Sequence, residues 1–135
     1  MLSINCKNCD GRCCTSRVRK LFVVLTPQEE NKFKDFSTKI KTPHKTLTIL
    51  KNDNSGNCIF YDSKKNLCKS YKDRPFECRA YPLQIYFDNE VNFKLDSMVC
   101  PKIKECSLEE IEDLKKKWME QHLPLDWIKA YSTFD

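Results

Sequence analysis

Four of the chain's nine cysteines crowd into the stretch CKNCDGRCC, at Cys6, Cys9, Cys13 and Cys14. Nothing else in the 135 residues restricts the fold so strongly. Three chemistries put thiols this close: a disulfide knot, a redox-active dithiol, or part of a metal site whose other ligands lie further along the chain. The odd total fits a pure disulfide framework poorly. The N-terminus carries no positive segment followed by an apolar stretch, so no secretory signal is read. LFVVL (Leu21 to Leu25) falls far short of the roughly 20 residues that span a bilayer, and no membrane partner is expected. The expected location is the cytoplasm, where thiols stay reduced and dense cysteines serve as metal ligands or catalytic groups.

The remaining cysteines are Cys58, Cys68, Cys78, Cys100 and Cys106. The C-x9-C-x9-C spacing from Cys58 to Cys78 matches no single helical face and suits thiolates delivered from several loops to a common centre. Such soft donors select zinc or an iron–sulfur cluster. Cys6 and Cys9 have the C-x2-C spacing found in both kinds of site. Neighbouring side chains usually diverge, so the sulfurs of Cys13 and Cys14 are expected to serve different centres, or one to ligate and the other to pack. The opening C-x2-C-x3-C is the reverse of the radical-SAM spacing, and that chemistry is not inferred.

A second dense motif is YKDRPFECRAYP, from Tyr71 to Pro82. Pro75 and Pro82 restrict the backbone around Cys78. Arg74 and Arg79 bring two permanent cations close to that thiol, where they are expected to hydrogen-bond sulfur and offset its charge. The formal net charge of +5 invites a nucleic-acid reading, but bound thiolates offset much of it. A nucleic-acid partner is not favoured, and a protein or redox partner stays unidentified. Lys115, Lys116 and Lys117 read as a solvated helix face. His44 and His122 read as exposed or capping residues. No Ser/His/Asp constellation or phosphate-binding glycine loop is apparent.

The expected fold is a single small, irregular, metal-stapled α+β domain over residues 1–135. KLFVVL reads as a short buried strand. Thr26, Pro27 and Glu29 form a helix start, with Phe33, Phe36 and Ile40 on one face, which predicts a helix near 27–41. TLTIL and CIFYD, flanking the turn-rich KNDNSGN, read as a hairpin, and so do QIYF and VNFKL around DNE. Ser107 and Glu110 open a C-terminal helix near 108–122. Pro124 breaks it, and LDWIKAY reads as a further helical piece packing Trp127.

CKNCDGRCC, VVLTPQEE, GNCIFYDSKKNLCKSYKDRPFECRAYPL and a late CP together resemble the YkgJ-like cysteine-cluster family, also described as a zinc- or iron-chelating domain. The resemblance runs from Cys6 to about Cys100, and its combination of CxxCxxxCC with RPxxCRxYP is highly specific. It implies eight metal ligands, Cys6, Cys9, Cys13, Cys14, Cys58, Cys68, Cys78 and Cys100, with Cys106 outside the pattern. Relatives are often labelled iron–sulfur oxidoreductases, and a similar module is fused within flagellin lysine methylases. This chain has no evident SAM-binding segment, so methyl transfer is not carried over. The leading expectation is an iron–sulfur cluster, [4Fe-4S], held by four of the eight cysteines, in electron transfer or cofactor support. The alternatives are a structural zinc adaptor and a thiol–disulfide enzyme using Cys6 and Cys9.

Overall fold

The computed structural model describes residues 22–62, 64, 65, 67–81, 83–95 and 107–134. Its elements are mixed, as expected: short antiparallel hairpins followed by helices. Phe22 to Thr26 is extended, and Val24 bridges Ile49 in antiparallel fashion. β1 (Ser37–Lys41) pairs with β2 (Thr46–Leu50), β3 (Tyr61–Asp62) with β4 (Leu67–Cys68), and β5 (Leu83–Asp88) with β6 (Glu90–Leu95). The helices are α1 (Phe76–Ala80), α2 (Leu108–Glu120) and α3 (Leu125–Phe134).

The helix expected near 27–41 does not form. Its start is right: the Glu29 carboxylate accepts the Thr26 N–H at 3.1 Å and the Thr26 hydroxyl at 3.0 Å. One 3-10 turn, Pro27–Glu29, follows, then a second at Lys34–Phe36, and the chain turns into β1. The local pattern of Phe33, Phe36 and Ile40 fits a helix, but STKIK has a stronger use as the strand that pairs with TLTIL. Thr42 closes that hairpin by accepting the Lys45 N–H at 3.1 Å and donating its hydroxyl to the Lys45 carbonyl at 2.7 Å.

The expected pairing of TLTIL with CIFYD fails because both edges of β2 are taken, one by β1 and the other by residues 22–26. Only an isolated bridge, Asn52 to Cys58, links the two sides of KNDNSGN. Within that turn Asp53 accepts the N–H groups of Ser55 and Asn57, and Gly56 takes the positive φ of 83°. CIFYD instead gives Tyr61 and Asp62 to β3.

The β5–β6 hairpin forms as read, turning through Asn89 at φ 62° between Asp88 and Glu90. Asparagine tolerates this left-handed backbone, whereas a β-branched residue does not. Asn89→Val is therefore expected to destabilise folding by about 1–2 kcal/mol, measurable as a lower urea midpoint with an unchanged slope.

Period-two alternation sorts the apolar side chains onto the two faces of a central layer formed by residues 22–26 and β2. Val24, Leu47 and Ile49 face one cluster with β5, α2 and α3, where Leu83, Ile85, Leu114, Trp118, Trp127 and Tyr131 are buried. Val23, Leu25 and Leu50 face a second cluster with Phe33, Cys58 and Tyr61. Burial on both faces explains why VVL reads as a continuous apolar run. α1 is split in the same way: Phe76 and Ala80, four apart, join the first cluster, while Cys78, half a turn away, packs on the second.

α2 begins as the sequence predicts. The Ser107 hydroxyl accepts the Glu110 N–H at 3.1 Å. Trp118 donates its indole N–H to the Leu83 carbonyl at 3.2 Å, and Trp127 of α3 reaches the Leu25 carbonyl at 3.3 Å. Among the described residues, no helix is long and apolar enough to cross a membrane.

Candidate metal centre

Three of the eight expected ligands lie among the described residues, and the second apolar cluster relates all three. Cys58, presented by the Gly56 turn, is buried in that cluster. Cys78 packs against the same cluster from α1, half-buried. Cys68 ends β4 opposite Tyr61, a buried member of the cluster. The Cys58 carbonyl accepts the Tyr61 N–H at 2.9 Å, and the Phe60 carbonyl accepts the Lys69 N–H. A tight backbone turn therefore ties Cys58 to β3, and a cross-strand bond ties β3 to the strand that carries Cys68.

The cluster is mostly apolar and aromatic. Phe60 packs at its margin, with its ring centroid 6.1 Å from that of Phe33 and 5.1 Å from that of Phe36. Such surroundings exclude water from a bound metal and lower the local dielectric. Among the described residues, no group of three or more His, Cys, Asp or Glu side chains could hold a metal ion. A complete thiolate set would therefore draw on cysteines elsewhere in the chain. The expectations placed on Cys6, Cys9, Cys13, Cys14, Cys100 and Cys106, including the divergence of the adjacent pair, lie outside the described residues.

The family model for CxxCxxCC, "Putative zinc- or iron-chelating domain", matches residues 5–101. The chain belongs to the CxxCxxCC family. No curated protein and no solved structure gives a significant match. The matched span holds CKNCDGRCC, the Cys58 turn, β4, α1 and Cys100, whereas Cys106, α2 and α3 fall beyond it. In this member, the two helices beyond the matched span build the first apolar cluster against β5.

Arg79 is exposed, with its guanidinium 5.7 Å from the centroid of the Phe76 ring. Arg74 is half-buried and immediately precedes the buried Pro75. His44 lies exposed in the β1–β2 turn and His122 is exposed after α2. Lys115 pairs with Glu112 at 2.9 Å, and Lys117 with Glu120 at 3.9 Å, consistent with a solvated helix face. Of the aromatics near the cysteines in sequence, Phe60 and Tyr61 belong to the cysteine cluster, whereas Phe76 and Phe87 pack with the first cluster.

Sequence reasoning missed a pair of carboxylates. Glu77 is 8% exposed and accepts the Val24 N–H at 3.1 Å. Glu29, legible only as a helix-start residue, also accepts the Phe76 N–H at 2.7 Å. The one available signal was the acidic residue inside an otherwise apolar and basic motif, RPFECR.

Proposed function

We propose that the chain holds a [4Fe-4S] cluster through four cysteines and serves in electron transfer or in supporting a cofactor. The observation that supports this most is the meeting of Cys58 and Cys78 at one apolar, aromatic-lined cluster. Sulfur donors in dry surroundings fit an iron–sulfur cluster in chemistry and setting. When bound, that cluster supplies one-electron redox chemistry. The protein's own groups do the rest: Phe60 and Tyr61 keep water away, and the Gly56 turn and α1 deliver two thiols to the same side of the central layer. At least one further thiolate would come from Cys6, Cys9, Cys13, Cys14 or Cys100. The Cys106 thiol is read as a bystander.

A structural zinc site is the second reading, favoured by the same sulfur chemistry and by the modest core of a small chain. Purification under nitrogen, followed by iron, zinc and acid-labile sulfide analysis, separates the two. The expected product is brown, absorbs broadly at the blue end of the visible range, and contains iron and sulfide in equal amounts. Colourless protein carrying stoichiometric zinc overturns the iron–sulfur reading.

A further inference from the structure

Two carboxylates join the strand that follows the N-terminal cysteines to the helix that carries Cys78. The strand, residues 22–26, spends one edge on β2: the Leu25 N–H donates to the Thr48 carbonyl, and the Leu50 N–H to the Val23 carbonyl, both at 2.9 Å. The pleat sends the N–H groups of Val24 and Thr26 to the opposite edge. There the Glu77 Oε1 takes the Val24 N–H at 3.1 Å, and the Glu29 Oε1 takes the Thr26 N–H at 3.1 Å. Side-chain carboxylates stand where a neighbouring strand's carbonyls would otherwise serve.

Both carboxylates also belong to, or bind, α1. Glu77 is its second residue, and the Glu29 Oε2 takes the N–H of its first residue, Phe76, at 2.7 Å. Burying Glu77 is costly unless its oxygens are hydrogen-bonded. A role in positioning explains why a carboxylate stands there. Charge-assisted bonds to backbone N–H groups are directional, so these three fix the approach of α1 to the strand more tightly than apolar packing alone.

We infer that Glu77 and Glu29 are positioning residues of the metal centre: they clamp the strand following Cys6–Cys14 to the helix bearing Cys78, so that metal retention depends on carboxylates that bind no metal. The inference rests on the thiolate-metal reading, with either iron or zinc. Its test uses the full, metal-loaded chain as wild type, Glu77→Leu, Glu77→Gln and Ser132→Ala. Metal release into excess chelator is timed, and amide hydrogen exchange is followed at Val24.

Glu77→Leu is expected to release metal at least tenfold faster and to speed exchange at Val24. Glu77→Gln, whose amide oxygen still accepts an N–H, should recover most of the retention. Ser132→Ala removes the 2.8 Å bond from the Phe87 N–H in the first cluster. It should lower the unfolding midpoint while leaving metal release at the wild-type rate. Release from Glu77→Leu at the wild-type rate, or equal acceleration by Ser132→Ala, overturns the clamp. Wild-type chain that takes up neither iron nor zinc overturns the metal reading itself, and the clamp with it. Should Glu77→Leu fail to fold, Glu29→Ala carries the same test through exchange at Phe76.

Discussion

Trp118→Ala is expected to cost about 3–5 kcal/mol of folding stability, a large share of the roughly 5–15 kcal/mol available to a chain of this kind. Trp118 is 1% exposed and lies where α2, α1 and α3 meet. The Phe76 ring stands against it edge-on, with centroids 4.8 Å apart, and Tyr131 lies at 6.0 Å. Truncation opens a cavity among three elements and leaves the Leu83 carbonyl without its indole donor. An orphaned buried acceptor adds about 1–3 kcal/mol, part of it already contained in the measured cost of such truncations. Trp118→Phe separates the terms, since it keeps most of the ring and loses the N–H, and should cost roughly 1–3 kcal/mol. Urea unfolding on metal-depleted protein is the right measurement, because bound metal raises the apparent stability by mass action. A Trp118→Ala unfolding free energy within about 1 kcal/mol of wild type would show that this tryptophan does not organise the first cluster.

The elements that local chemistry decides were legible in the sequence. Ser107 and Glu110 mark the start of α2 because a cap is satisfied within one turn of chain. QIYF and VNFKL pair as read, each strand one or two residues longer than expected, because their turn is short and their apolar residues adjoin it. The helix foreseen near 27–41 failed where the decision passed to distant residues. Thr26 and Glu29 satisfy each other locally, but Ser37 to Lys41 takes its partner from β2 across the Thr42–Lys45 turn. TLTIL does not pair with CIFYD because both of its edges are occupied, by β1 and by residues 22–26. At the candidate centre, two of the cysteines picked out by their spacing, Cys58 and Cys78, come to one apolar cluster. The Glu77 bond could not be read, because its partner lies 53 residues away and exists only once α1 docks on the strand.

Cys78→Ser should remove at least half of the bound metal while leaving the fold largely intact. Serine nearly matches cysteine in size, so its cavity cost in the second cluster is small. Its hydroxyl is a hard donor that stays protonated near neutral pH, and it replaces a thiolate poorly on zinc or on an iron–sulfur cluster. The loss should therefore appear in metal content before it appears in the far-ultraviolet circular dichroism of protein held under nitrogen. Cys58→Ser should behave in the same way, since Cys58 packs in the same cluster and its turn is stabilised independently by Asp53 and Gly56. Cys106→Ser supplies the contrast: Cys106 lies beyond the span matched by the family, and its variant should keep the full wild-type metal. Full metal in Cys78→Ser would remove α1 from the centre. Loss in Cys106→Ser would extend the ligand set past the family pattern, toward the start of α2. A centre that loses metal with Cys78 and Cys58 but keeps it without Cys106 is one that takes two of its ligands from a single apolar cluster, on the face of the central layer opposite the tryptophans.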